Sequence, residues 1–83
     1  MRFVYTIYNK KADKIYIGET GDIEKRLREH NEKRGNHFTA KFAGKWELVY
    51  KEEFENKQES LKREKQLKSF KGREFVRKHI IKS

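Results

Sequence analysis

Two short runs near the start of the chain decide the fold. Residues 3–8 read FVYTIY and residues 14–18 read KIYIG, with the polar residues 9–13 between them. Both runs are rich in β-branched and aromatic residues and alternate between two faces, which predicts two strands. A short polar connection between such runs predicts an antiparallel hairpin that carries Tyr5 on one strand and Tyr16 on the other.

The rest of the chain predicts helices around one more strand. Helix-capping side chains precede Ile23, and the apolar period that starts there predicts a helix ending near Arg34. Further along we expect, in order, a loop (35–45), a third strand (46–50), a helix (56–70), a break at Gly72 and a short last helix. The predicted fold class is α/β, more narrowly α+β, with a three-stranded antiparallel sheet flanked by helices in the order ββαβαα.

Composition predicts a single compact domain over residues 1–83 that binds a polyanion. Hydrophobic residues make up 34% of the chain, so we expect most elements to pack on one face only. The 22 Lys and Arg exceed the 13 Asp and Glu, and the net charge is +9. A surplus of positive charge along the whole chain favours a polyanionic partner, although abundant lysine can also serve solubility alone.

Several classes of protein are excluded by what the sequence lacks. Cysteine is absent, so disulfides and thiolate zinc sites are excluded, and His30, His37 and His79 do not have the spacing of a zinc site. No apolar run approaches the length of a membrane span, and residues 1–5 become polar too soon for a signal peptide. The expected location is the cytoplasm.

The first predicted helix carries two candidates for phosphate chemistry. Arg26 and His30 are four residues apart, beside the stripe formed by Ile23 and Leu27, so both side chains should emerge at the border of the core. An arginine there can present a planar fork to a phosphate, and a histidine can exchange a proton near neutral pH. The alternative is an arginine that snorkels and a histidine at the edge of the core.

The second long helix places a carboxylate where apolar residues are expected. Glu64 falls between Leu61 and Leu67 inside the predicted apolar arc. Because burial of an unpaired charge is costly, Glu64 should meet a cation, and a divalent metal ion is one candidate. An ion pair with Lys68, one turn later, is the alternative.

The hairpin and the middle loop supply further candidates. Tyr5 and Tyr16 can bring their hydroxyls together if they share a face, and Gly18 can let a phosphate or the neighbouring strand come close. Strand tyrosines more often serve packing, and Gly18 alternatively allows only the turn into the helix. The loop adds residues suited to bind nucleic acid or, for its aromatics, to fill the core: Phe38, Phe42, Lys41 and Lys45.

Together these residues resemble a known family. The spacing of residues 3–5, 16–18, Arg26, 30–31 and Glu64 is similar to that of the GIY-YIG nucleases, over almost the entire chain. The resemblance is strongest to short bacterial members, and larger relatives include the N-terminal domain of the excinuclease C subunit. Glu19 stands where the excinuclease branch tends to carry lysine.

The resemblance implies hydrolysis of DNA phosphodiesters with one divalent ion, Mg²⁺ or Mn²⁺. By position, Glu64 would hold the metal, Tyr5 would be the base or the group that orients the water, and Tyr16 would support the nucleophile or the phosphate. Arg26 would neutralise charge on the phosphoryl oxygens and His30 would assist proton transfer. Gly18 and Asn31 belong to the family motif.

Three hypotheses follow for the function. The first is a DNA endonuclease of low sequence selectivity that acts on structured or branched DNA, in repair or recombination. The second is a non-catalytic, basic nucleic-acid-binding module with the same fold. The third is a basic scaffold that docks on a larger nuclease or ribosomal partner. Substrate choice would then lie with a partner, such as a larger repair protein, or with DNA shape.

Overall fold

The fold contains the three-stranded antiparallel sheet that the sequence predicts. The computed structural model describes residues 1–34 and 37–81, and its three strands are β1 (Arg2–Asn9), β2 (Lys14–Thr20) and β3 (Trp46–Phe54). β1 lies in the middle, in the order β2-β1-β3, and pairs antiparallel with both neighbours. The predicted three-stranded antiparallel sheet is confirmed, and each strand extends beyond its predicted bounds.

Helices cover both faces of this sheet. They are α1 (Ile23–Asn31), α2 (His37–Ala40), α3 (Lys57–Lys68) and α4 (Phe70–Val76), and a π-helical turn continues α4 over Arg77–Ile81. The predicted order ββαβαα is confirmed, with the single turn α2 added inside the predicted loop; residues 35 and 36 of that loop lie outside the described residues. In residues 1–34 and 37–81, no helix combines the length and apolar character that crossing a bilayer would need.

The central strand is buried on both faces. Tyr5 and Ile7 pack with Trp46 beneath α1, whereas Val4 packs with residues of α3 and α4 on the opposite side. The expectation that elements pack on one face only is therefore wrong for β1, because a central strand with a helical layer on each side has no solvent face. Two small cores result, and they are separated by the sheet.

Helix α1 ends earlier than the sequence predicts, at Asn31 rather than near Arg34. The Asn31 side chain turns to the backbone of Trp46, donating to its carbonyl at 3.0 Å and accepting from its amide at 2.7 Å. Lys33 then adopts a positive φ of 61°, and its ammonium group donates to the carbonyls of Phe42 and Gly44. These contacts with distant residues stop the helix, and the local sequence cannot reveal them.

The break between the last two helices also lies elsewhere, at Ser69 instead of Gly72. Ser69 is extended, and its hydroxyl accepts from the Gly72 amide at the start of α4. Gly72 lies inside α4, where a Cβ atom would stand 2.4 Å from the carbonyl oxygen of Gln66, so glycine permits close packing against the end of α3. In the last helical segment Val76 is buried, whereas Phe75 and His79 are exposed.

Candidate active site

The site begins where Tyr5 lies over a glycine. In the hairpin, Tyr5 is directly opposite Gly18 and Ile7 is opposite Tyr16, so the two tyrosines share a face as diagonal neighbours. Their ring centroids are 6.3 Å apart. A Cβ atom on Gly18 would stand 2.6 Å from the Tyr5 hydroxyl. Gly18 therefore makes room for a side chain from inside β2, and the prediction that it ends the strand is wrong.

A buried histidine, His30, lies within hydrogen-bond distance of the Tyr5 hydroxyl. His30 Nε2 lies 2.9 Å from that hydroxyl, and His30 Nδ1 lies 2.9 Å from the Thr39 hydroxyl. The imidazole is fully buried, deeper than the core border that the sequence predicts. Burial, followed by the positive charge of Arg26, lowers the pKa of His30 to about 4. His30 is thus neutral at pH 7, with one donor and one acceptor nitrogen for its two partners.

Thr39 is the residue that the sequence does not point to. Its hydroxyl contacts His30, and its carbonyl accepts a hydrogen bond from the Trp46 indole at 3.2 Å. The residue is fully buried in α2, a single turn without periodic sequence, so no local pattern marks it. Thr39 fixes the orientation of the imidazole and thereby joins α2 to the site.

The Arg26 guanidinium and the Tyr5 hydroxyl each influence the pKa of the other. Burial is the main cause that raises the pKa of Tyr5, while the charge of Arg26 opposes it. Burial would lower the pKa of Arg26, but its bonds with Glu29 and with Tyr5 outweigh that effect and raise it. Arg26 Nη1 lies 3.0 Å from Glu29 Oε1. Tyr5 therefore stays protonated and Arg26 stays charged across the neutral range.

Glu64 belongs to α3, in the helical layer on the other side of the sheet, and its charge acts on the same Tyr5 hydroxyl. Its side chain is 18% exposed, and its negative charge is among the causes that raise the pKa of Tyr5. The ion pair that the sequence left as the alternative is present, with Lys68 Nζ 3.2 Å from Glu64 Oε2. The predicted apolar arc is wrong at Leu61, which is 43% exposed, because α3 presents Ser60, Glu64 and Leu67 to the fold.

The donors at Glu64 suit a weakly held magnesium or manganese ion. Within the described part of the chain, no three His, Cys, Asp or Glu side chains form a cluster that could hold a metal. Mg²⁺ retains several of its waters and commonly binds proteins through one or two carboxylates together with substrate phosphates, so Glu64 is the candidate ligand. The partner Lys68 is substantially exposed, and ion pairs of this kind contribute only about 0–1 kcal/mol, so a cation can displace it.

Two residues near the motif hold the fold together. Asn31 makes its contacts with the backbone of Trp46, as described above, rather than with the tyrosines. Glu19 accepts two bonds from Arg2, at 2.7 and 2.9 Å, and a third from the Ser60 hydroxyl at 2.8 Å. Arg2 is the main cause that lowers the pKa of Glu19. The acid at position 19 thus fastens the hairpin to α3.

The aromatic residues of the middle segment divide between the two predicted roles. Phe42 packs against the Trp46 ring at a centroid distance of 6.5 Å, which fits filling of the core. Phe38 remains 39% exposed with its centroid 6.1 Å from that of Tyr16. Lys41 and Lys45 are exposed. Of these four loop residues, Phe38 lies beside the candidate site.

With this geometry, the family can be established. The family model for the GIY-YIG catalytic domain matches residues 1–78. The chain belongs to the GIY-YIG family. The resemblance seen in the sequence is therefore confirmed, and it places the chain in a superfamily of endonucleases.

Relatives of this GIY-YIG protein are bacterial. The UPF0213 protein of Staphylococcus saprophyticus is 41% identical over 68 residues, which cover 82% of this chain and 80% of the relative. The UPF0213 protein of Clostridium perfringens is also 41% identical, over 82% of this chain and 71% of its own length. The corresponding protein of Staphylococcus aureus is 38% identical, over 82% and 80%. Their names state no activity, and no solved structure matches the chain.

Proposed function

We propose that this protein is a metal-dependent DNA endonuclease that hydrolyses phosphodiester bonds with little sequence selectivity. Membership of the GIY-YIG family supports the reaction class, and the charge of +9 supports a polyanionic substrate. In this proposal it acts in the cytoplasm on structured or branched DNA, in repair or recombination, and a larger repair partner contributes to substrate choice.

One observation carries this proposal: groups from three further elements, α1, β2 and α3, act on the Tyr5 hydroxyl of β1. The Tyr5 hydroxyl contacts His30 Nε2 at 2.9 Å. The charge of Arg26 lowers the pKa of Tyr5, whereas the charge of Glu64 raises it. The Tyr16 ring lies 4.9 Å from the His30 ring. A cation and a carboxylate beside two phenols and a neutral imidazole suit phosphoryl transfer, because that reaction depends on positioning and on charge stabilisation.

The exposure and charge of each side chain indicate its role in the proposed reaction. Tyr16 is partly exposed and would touch the phosphate or the attacking water, whereas Tyr5 is buried and protonated, which supports an orienting role more than that of a base. Arg26 would bind the phosphoryl oxygens as negative charge grows on them. Attack of water on phosphorus breaks one P–O bond, and the water loses a proton while the departing oxygen gains one. His30 keeps Tyr5 oriented throughout.

The metal ion would be held by Glu64. A divalent ion supplies positive charge at the phosphate and lowers the pKa of a water molecule. Glu64 can accept it by exchanging Lys68 for the ion, a change that costs little for an exposed partner. Cleavage assays of variants at Arg26 and Glu64 test these roles.

The test is cleavage of supercoiled, flapped and branched DNA with Mg²⁺ or Mn²⁺. Arg26→Ala and Glu64→Gln should each lower the rate by about 100-fold or more, the scale seen when one preorganised charge-stabilising group is lost. Arg28→Ala and Glu59→Gln are matched controls, because each lies exposed on the same helix as its counterpart. A parent protein that cuts no DNA, or a pair of site variants that cut as well as the controls, would contradict the proposal.

A non-catalytic nucleic-acid-binding module is the second candidate. The ion pair between Glu64 and Lys68 favours it, because a carboxylate already paired with a cation does not need a metal. In that case DNA binding falls steeply with salt concentration, survives Glu64→Gln, and occurs without cleavage under any ion. Cleavage by the parent protein that is lost in Glu64→Gln would exclude this candidate.

A further inference from the structure

A pocket wraps around the edge strand β2, beside the candidate active site. Its volume is about 260 Å³. Residues from both faces of β2 and from three helices line it: Ile15, Tyr16, Ile17, Phe38, Lys68 and Arg73. Because β2 has a neighbour on one side only, the pocket opens along the free edge of the sheet.

The wall of this pocket can receive a flat ring. The Phe38 and Tyr16 rings are inclined by only 30° at a centroid distance of 6.1 Å. Phe38 is 39% exposed, although Phe42, its ring neighbour at 5.3 Å, is drawn into the core. Ile15 and Ile17 complete the apolar lining. An exposed aromatic side chain in a pocket that also has apolar lining favours an occupant with a planar, apolar surface.

Two cations stand at the same pocket. Lys68 Nζ lies 5.9 Å from the Tyr16 ring centroid, and the exposed Arg73 belongs to α4. The occupant should therefore carry negative charge next to its flat surface. Proteins that bind single-stranded nucleic acid combine these two features, with aromatic side chains for the bases and positive charge for the backbone.

We propose that this pocket holds one unpaired base of the DNA strand next to the cleavage site, with the adjoining phosphate between Lys68 and Arg73. The inference rests on the proposed nuclease function and adds a substrate class to it, namely DNA with an unpaired nucleotide beside a duplex. A base inside a duplex has both faces stacked and cannot enter. The volume lies below the roughly 300–1,000 Å³ of sites for drug-sized ligands, which suits a single base.

Lys68 links the pocket to Glu64. Its ammonium group is 3.2 Å from the Glu64 carboxylate and also lines the pocket. A phosphate at Lys68 competes with Glu64 for this one cation. Seating of the unpaired base and release of the Glu64 carboxylate are therefore coupled, and a duplex without an unpaired base leaves the ion pair closed.

Fluorescence of a base analogue tests the inference on the full chain. The probes are a flapped DNA with 2-aminopurine as its first unpaired nucleotide and a fully paired duplex of equal length with the same analogue, both without divalent ions. We expect quenching and tighter binding for the flap. Phe38→Ala should weaken flap binding by at least roughly fivefold, the lower end for loss of one stacked base, and leave duplex binding unchanged.

Matched variants make the result specific. Phe75→Ala removes an aromatic side chain that is 40% exposed but lies outside this pocket, so flap binding should not change. Lys68→Ala should weaken flap binding, whereas Lys65→Ala, an exposed lysine on the same helix, should weaken both DNAs equally.

The outcomes separate this inference from the function beneath it. Equal flap binding by Phe38→Ala and Phe75→Ala, or a flap bound without quenching, overturns the base pocket while DNA binding and cleavage stand. A parent protein that binds neither DNA overturns the proposed function and this inference together.

Discussion

The two faces of the sheet are built from the same central strand but differ in chemistry. Beneath α3 and α4, Val4, Ile17, Leu67 and Val76 form a dry apolar cluster. Beneath α1, the aromatic cluster includes Tyr5, whose hydroxyl leads to buried His30 and Thr39. One face is thus closed mainly by apolar packing, besides the contacts of Glu19 with Arg2 and Ser60, and the other keeps a connected set of buried polar groups.

The difference shows which parts of a small domain are free to do chemistry. Buried polar groups cost free energy unless each has a partner, and His30 uses both of its ring nitrogens. Apolar packing on the opposite face stabilises the sheet without such constraints. The apolar face should therefore respond to loss of volume, and the polar face to loss of partners or of protonation.

The largest effect on stability is expected at Leu67. Leu67→Ala removes a side chain that is 2% exposed and should lower the free energy of unfolding by about 2–5 kcal/mol. Cleavage per folded molecule should not change, because Leu67 belongs to the other face. Denaturant unfolding measures the loss, and Leu61→Ala on the same helix should change stability by only about 0.5 kcal/mol. Equal losses for the two leucines would show that the apolar face is misplaced.

The sequence predicts the strands better than the buried polar contacts. Alternation in residues 3–8 is a local property, so β1 and the hairpin could be predicted. The pairing register that puts Tyr5 and Tyr16 on one face could not. The depth of His30 could not, because it depends on Thr39, which a non-periodic loop brings over the helix. Asn31 ends its helix through contacts with distant Trp46 that only the folded chain provides, whereas Ser69 is a local cap that the emphasis on Gly72 missed.

The next effect is a pH dependence of stability that belongs to the polar face. The pKa of His30 falls from its ordinary 6.5 to about 4 in the folded protein, so the unfolded chain binds more protons between these values. Stability is complete above about pH 6.5 and declines as the pH falls towards 4, by about 3 kcal/mol at most. Denaturant unfolding across this range measures the slope.

Replacing one histidine at a time shows which residue causes this pH dependence of stability. His30→Gln should be less stable at pH 7 and should lose most of the decline between pH 6.5 and 4. His79→Gln, at an exposed histidine, should keep it. A parent slope that persists in His30→Gln would mean that another group is responsible.

A smaller effect is expected where the two tyrosines meet the glycine. An alanine Cβ at Gly18 would stand 2.6 Å from the Tyr5 hydroxyl and 2.7 Å from its ring carbon Cζ, so the ring must move. Gly18→Ala should cost about 1–3 kcal/mol of stability and should also slow cleavage. Gly21→Ala is the control, because its Cβ would meet chiefly the end of the long Arg2 side chain and not a buried ring. Two alanine variants of equal stability would argue against the close approach at Gly18.

The smallest effect is a gain, at Thr6. Its hydroxyl is buried and has no hydrogen-bond partner among the described residues, so Thr6→Val should raise the free energy of unfolding by about 1 kcal/mol. Thr39→Val makes the same replacement where the hydroxyl is bonded to His30, and should destabilise. Thermal unfolding of the two variants side by side compares them, and a loss in both would indicate that Thr6 has a partner after all.

The central claim is that residues from separate elements form one site, and a double-variant cycle tests it most directly. Single-turnover cleavage is measured for Arg26→Ala, for Glu64→Gln and for the two together. Groups that act as a unit are strongly non-additive, so the double variant should cleave about as slowly as the slower single variant. Losses that multiply would contradict the account, because they would mean that Arg26 and Glu64 work independently.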